Sequence, residues 1–138
     1  MTTINMQTLV YINLLDKASH VKTKQCFVYN NTIFFAVPKQ LVSQAIGPNA
    51  SYVKKIRDNL GKKVKIISAP EGPEEMQKFI EDIVSPTKFK SLEIRDNTVI
   101  ITAGSNQNKA SLIGRNRRRF SEMHKVIHDI FNMDLRIV

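Results

Sequence analysis

Apolar residues recur along this chain with two different spacings. Met6, Leu9, Val10, Ile12 and Leu14 follow the three- and four-residue spacing of a helix, which predicts one over residues 4–15. Residues 24–37 read instead as two strands around a turn. Gln25-Cys-Phe-Val-Tyr29 is the first, Asn30-Asn31 the punctuation, and Ile33-Phe-Phe-Ala-Val37 the second. Pro38 cannot continue a central strand but can open a helix. Residues 39–46 therefore read as a short helix carrying Leu41, Val42, Ala45 and Ile46, broken at Gly47-Pro48-Asn49. A second helix is expected from Ser51, read as its N-cap, to Leu60. It has Tyr52, Val53, Ile56 and Leu60 at helical spacing and Gly61 as its C-terminal cap. Val64 to Ile67 is a strand.

Ser68-Ala-Pro-Glu-Gly-Pro73 reads as a linker. Beyond it, residues 74–84 form an acidic helix with Met76, Phe79, Ile80 and Ile83 on one face, its early carboxylates matched to the helix dipole. Ser85-Pro86 ends it. Strands are expected at Phe89 to Ile94 and Val99 to Ala103, around Asp96-Asn97. A helix at about 106–113 leads to Gly114-Arg-Asn-Arg117. A longer one follows with Phe120, Met123, Ile127, Ile130 and Phe131 as its apolar face, and the chain closes on a strand, Leu135 to Val138.

The two halves carry the same series of elements. Asn30-Asn-Thr-Ile-Phe-Phe-Ala-Val37 aligns with Asp96-Asn-Thr-Val-Ile-Ile-Thr-Ala103, and Ala45-Ile-Gly-Pro-Asn-Ala50 with Leu112-Ile-Gly-Arg-Asn-Arg117. Val64-Lys-Ile-Ile67 aligns with Leu135-Arg-Ile-Val138, the second long helix being one turn longer. An aligned strand entry and an aligned loop in the same order point to a duplicated α+β unit of domain size. The expected domains are residues 1–69 and 70–138. Their short, Pro-containing connection predicts a fixed relative orientation.

Charge narrows the possible partners. The 138 residues carry a net +9. Residues 1–69 hold ten Lys/Arg against two Asp/Glu, a net of +8, while residues 70–138 hold eleven against ten. Such an excess points to a polyanion. Nucleic acid is favoured over a membrane surface, because no helix sets a basic face against a strong apolar stripe. The single cysteine, Cys26, excludes an internal disulfide framework and suits a reducing compartment. No apolar run approaches the roughly 18 residues of a membrane span, and no secretory signal is read. The expectation is a cytoplasmic protein.

The chemistry concentrates at the two glycine loops. In each half a helix ends at Ile-Gly and a second helix begins at once, offering free N–H groups and a positive dipole end to phosphate. The candidate residues in the first half are Gly47, Pro48, Asn49 and Ala50, with Lys54 and Lys55 one turn along. In the second half they are Gly114, Arg115, Asn116, Arg117, Arg118 and Arg119. Lys62, Lys63 and Lys65 flank the following strand and could add charge at a groove edge. The groove floor is expected to be apolar, from Ile46, Val53, Ile56, Ile113, Phe120 and Met123.

A Gly-x-x-Gly loop between two helices of an α–β–β–α–α–β unit resembles the KH RNA-binding module, whose loop clamps four backbone nucleotides. The element order resembles the prokaryotic (type II) variant. Tandem units with almost nothing else resemble the archaeal NusA-like transcription factors. That resemblance runs nearly end to end, through Tyr11-Ile-Asn-Leu-Leu15, Cys26, Gly61-Lys-Lys-Val-Lys-Ile-Ile67, Pro73-Glu-Glu-Met76 and Ser85-Pro-Thr-Lys-Phe89. It implies an α+β fold of two type II KH domains, each a three-stranded sheet packed by three helices. It further implies single-stranded RNA binding in transcription termination or antitermination, with RNA polymerase a candidate partner and a monomer the expected state. A structural component of ribosomal or other ribonucleoprotein particles is the alternative.

The loops depart from that family where a fourth-position glycine is usual: Ala50 and Arg117 stand there. Pro48 also removes a backbone donor, whereas the second loop offers guanidinium groups that grip phosphate bidentately. An asymmetric pair is expected, with residues 114–119 contributing more than 47–50. The other possibility left open is that one loop serves only as scaffold. No cofactor, metal or catalytic group is expected. His124 and His128 lie four apart on a helix, but the sequence supplies no evident third ligand, and neither a Walker loop nor a hydrolase elbow occurs.

Overall fold

The computed structural model describes residues 6–23 and 25–138. Residues 4 and 5 of the expected first helix, and Lys24 of the expected strand stretch, lie outside the described residues. The chain divides into two compact units between Glu71 and Gly72. The architecture is α+β, with one three-stranded sheet in each unit, ordered β1-β2-β3 and β4-β5-β6.

The first unit opens with α1 (Met6–Ser19). The helix runs four residues past the expected Leu15, because Tyr11, Leu15 and Ser19 form its buried face. The Ser19 hydroxyl donates to the Leu15 carbonyl at 2.7 Å and accepts from the Val21 amide at 3.2 Å. Of the apolar residues that signal this helix, Met6, Leu9 and Val10 are exposed. Strands β1 (Gln25–Tyr29) and β2 (Thr32–Val37) pair antiparallel, Tyr29 opposite Thr32. The turn between them has φ +51° at Asn30 and +60° at Asn31, the left-handed pair that asparagine tolerates in a two-residue hairpin. The expected helix over 39–46 begins as a 3-10 turn, Lys39–Leu41, and becomes α2 only at Val42–Ile46. After α3 (Ser51–Leu60), β3 (Lys63–Ser68) returns parallel to β2 with Val64 beside Ile33. Tyr11, Leu15, Ile33, Phe35, Ala45, Ile56 and Val64 form the core between the helices and one sheet face. On the opposite face, Phe34 stacks against Phe27 at 5.4 Å.

The second unit repeats the order. Pro73–Glu75 form a 3-10 turn, so α4 spans Met76–Val84 rather than 74–84. Met76, Phe79, Ile80 and Ile83 are buried on one face, as the spacing predicts. Strands β4 (Ser91–Arg95) and β5 (Thr98–Thr102) meet at Asp96-Asn97, whose φ values repeat those of Asn30-Asn31 at +51° and +60°. Phe89 falls outside β4, because the two-residue turn puts Ser91 opposite Thr102 and the partner strand ends there. Helix α5 (Asn106–Ile113) is capped by Ser105, whose hydroxyl accepts the Asn108 amide at 3.0 Å. Helix α6 (Arg118–Phe131) buries Met123, Val126 and Ile127, while Phe120, Ile130 and Phe131 are only half-buried. Strand β6 (Asp134–Ile137) lies parallel to β5, Leu135 beside Val99.

Candidate nucleic-acid interface

The two glycine loops have the same backbone. Gly47 lies at φ +82°, ψ 169° and Gly114 at +77°, 171°. Asn49 (+53°, 34°) matches Asn116 (+55°, 30°), and Ala50 (+58°, 28°) matches Arg117 (+58°, 25°). Three positive-φ residues in four give a turn that ends one helix and starts the next almost at once. In the first loop the Gly47 amide donates to Ser43 at 3.0 Å and the Ala50 amide to Gly47 at 3.1 Å. In the second the Gly114 amide donates to Ala110 at 2.9 Å and the Arg117 amide to Gly114 at 3.2 Å. Each loop thus closes on its own backbone.

Ser51 is not the N-cap the sequence suggests. It is the first residue of α3, and Ala50, in the left-handed region, occupies the cap. Arg117 has the same place before α6. Neither residue has a side-chain oxygen to accept a first-turn amide, and among the described residues no side chain caps either helix. The first amide of α3, Ser51, donates instead to the Pro48 carbonyl, and that of α6, Arg118, to the Arg115 carbonyl, so what these helix starts offer an external anion is the positive end of the helix dipole.

The cations take different stations. Lys54 and Lys55 are exposed one turn into α3. Pro48 and Asn49 are exposed at the first loop tip, as are Arg115 and Asn116 at the second. Arg117 turns its guanidinium over the Phe120 ring, 4.6 Å from the centroid. Arg118 is exposed. Arg119 is half-buried and donates from Nη1 to the Ser111 carbonyl at 3.0 Å, closing the end of α5. It also lies against Gly114: a methyl there would come 2.8 Å from the Arg119 Cγ. The second loop accordingly presents Arg115, Arg117 and Arg118 outward, while Arg119 joins the two helices.

The three lysines after α3 do not form one edge. Lys62 donates to the Tyr11 hydroxyl at 3.3 Å and sits over that ring at 5.9 Å. Lys63 and Lys65 alternate with buried Val64 along β3. The two-residue period of a strand sends them to the sheet face away from the helices, and so away from the loop. Of the expected floor, Ile56 and Met123 are core residues, while Ile46, Val53, Ile113 and Phe120 are half-buried.

One arrangement was not legible as a site in the sequence. Phe120 and His124 stack with centroids 6.0 Å apart and planes 9° apart, and His124 and His128 at 6.4 Å and 16°. The His124 Nε2 lies 3.4 Å from the Asp134 Oδ1. The four-residue spacing was the available signal, although it also suits metal ligation. Among the described residues, no group of three His, Cys, Asp or Glu side chains is placed to hold a metal ion. Among the same residues, no helix is long and apolar enough to cross a membrane.

No protein-family profile matches the chain. It is similar to the probable transcription termination protein NusA of Halococcus morrhuae, at 22% identity over 134 residues, 96% of this chain and 94% of that protein. The fold is similar to that in the crystal structure of APE1850, with a TM-score of 0.66 and 22% identity, covering 98% of this chain and all of that one.

Proposed function

We propose that the chain binds single-stranded RNA through two KH units of the type II order, residues 1–69 and 70–138, and that it acts in transcription termination or antitermination. The observation that carries this reading is the duplicated loop. Two segments of different sequence adopt one left-handed backbone, each at a helix start without a side-chain cap and each beside exposed cations. Selection for the turn alone does not account for the arginines at Arg115, Arg117 and Arg118. Phosphate recognition accounts for both turn and charge. The similarity to a NusA protein over nearly the whole chain supports a role in transcription, and RNA polymerase is the proposed companion.

The proposed activity is binding, not catalysis, by a monomer that needs no cofactor and works in the cytoplasm. Phosphates seat at Gly47 to Ala50 and Gly114 to Arg117, with Lys54, Lys55, Arg118 and Arg119 adding positive charge around them. The second loop contributes more, because its side chains supply charge where the first has Pro48 and Ala50.

The test is fluorescence anisotropy with single-stranded RNA of about a dozen nucleotides, enough for two loops that clamp four each. It is run at two salt concentrations with matched DNA as competitor. The expected result is RNA binding that survives DNA competition. Arg115→Ala/Arg117→Ala should lower affinity and reduce the salt slope by about 0.7 for each phosphate that is no longer neutralised. Equal binding of DNA and RNA, or a double variant with unchanged affinity and slope, would overturn the reading.

A further inference from the structure

Phe120, His124 and His128 fall at successive four-residue steps on α6, which places them on one face of the helix. Their rings are close to parallel, 9° between the first pair and 16° between the second. The Arg117 guanidinium extends the series at its loop end, 4.6 Å from the Phe120 centroid. The result is a ladder of four flat groups that starts on the fourth residue of the glycine loop and descends the helix. It is not committed to the core. The side chain of His124 is 42% exposed and His128 is exposed, while Met123, Val126 and Ile127 supply the buried face of α6.

The first unit shows that the fold does not require these rings. With the loops aligned, Met123 corresponds to Ile56, and both are buried. Phe120, His124 and His128 correspond to Val53, Arg57 and Gly61. The same helix packs the same sheet without one aromatic side chain at those positions. The ladder is therefore an addition to the second unit, placed beside the loop that carries the arginines.

We infer that this ladder stacks the bases of a single strand of RNA whose phosphates are held at the second loop, so that α6 grips bases where the loop grips backbone. The inference rests on the proposed RNA binding. Phenylalanine, histidine and arginine planes are the groups on which unpaired bases stack. The ring centroids stand 6.0 and 6.4 Å apart, short of twice the ~3.4 Å separation of stacked bases. The histidines must therefore turn apart to admit a base between neighbouring rings. The Asp134 carboxylate beside His124 Nε2 makes Asp134 a positioning residue for the middle ring. Because every base has a π-face, the recognition tolerates sequence, and the second unit is the stronger binder for a reason separate from charge.

The experiment uses the full chain and RNA carrying 2-aminopurine at single positions, at one fixed pH. Stacking quenches the fluorophore. His124→Ala and His128→Ala are each expected to weaken RNA binding roughly tenfold and to relieve quenching, with the salt slope unchanged. His124→Phe and His128→Phe are expected to restore both, which a merely structural histidine would not do. Arg115→Ala, outside the ladder, should lower the salt slope and leave the quenching of bound RNA intact. Alanine variants that bind and quench like the parent, while Arg115→Ala still weakens binding, would overturn the ladder and leave loop binding standing. The reverse pattern would overturn the loop and keep the ladder. Phenylalanine variants that bind no better than alanine ones would also overturn stacking.

Discussion

Replacing Gly47 with alanine tests whether backbone shape, rather than any side chain, sets the first loop. Gly47 at φ +82°, ψ 169° occupies a region that is essentially glycine-only and costs another residue about 1–3 kcal/mol. A methyl group there would lie 2.6 Å from Cδ2 and 2.7 Å from Cγ of Tyr52. Those separations are shorter than van der Waals packing allows, so the half-buried ring must move. Gly61 is the internal reference. It lies at φ +65°, ψ 27° with no atom of the described residues within 4 Å of an added Cβ. Its alanine variant meets only the left-handed cost of about 1–2 kcal/mol, less about 0.5–1 kcal/mol recovered from the more restricted unfolded chain. Gly61→Ala should thus lose about 0.5–1 kcal/mol, and Gly47→Ala about 3 kcal/mol once the ring shift joins the backbone strain. Ala50→Gly runs the other way. Ala50 already bears the left-handed cost at φ +58°, so glycine should stabilise the first unit by about 0.5–1 kcal/mol. Urea unfolding followed by circular dichroism measures all three. In heating, each 1 kcal/mol corresponds to about 4–8 °C for a unit of this size. A Gly47→Ala variant no less stable than Gly61→Ala, or an Ala50→Gly variant less stable than the parent, would refute this account of the loop.

Four further outcomes are expected. Lys54→Ala/Lys55→Ala should weaken RNA binding less than Arg115→Ala/Arg117→Ala does, measured by anisotropy at equal salt, because the first loop has fewer groups on phosphate. Glu74→Gln/Glu75→Gln should leave RNA affinity unchanged in the same assay, since that turn lies outside both loops. Ser105→Ala should cost about 1 kcal/mol in urea unfolding by leaving the Asn108 amide without its cap. Burial pushes the Cys26 thiol from 9.0 up to about 12, so the fold favours the protonated form. Its contribution to stability is full below pH 9.0 and is lost as pH rises toward about 12. Cys26→Ala should flatten the fall in stability across that window, read from unfolding curves at stepped pH.

The repeat, the element order and the place of both loops were legible in the sequence because each depends on local physics. Gly61 and the Asn-Asn and Asp-Asn turns mark backbone that must enter the left-handed region, and the apolar spacing of α4 and α3 marks which face is buried. Element ends were less legible. Ser19 extends α1 because its hydroxyl finds the Leu15 carbonyl, and β4 excludes Phe89 because its partner strand runs out. Both depend on what lies opposite, which a single segment does not encode.

The candidate site divides in the same way. Sequence placed a glycine, an asparagine and clustered cations at each loop, since backbone strain and charge are properties of the residues themselves. It could not separate the cations by task. Only the folded chain turns Arg119 back onto Ser111, lays Arg117 on Phe120, and sends Lys63 and Lys65 to the far side of β3. It also left the left-handed conformation of Ala50 and Arg117 hidden, because neither residue type prefers it and the surrounding turn imposes it. The ring ladder needed the tertiary structure as well. Spacing put Phe120, His124 and His128 on one face, but their near-parallel planes follow from side-chain packing along α6 and from the return of Asp134 at the start of β6.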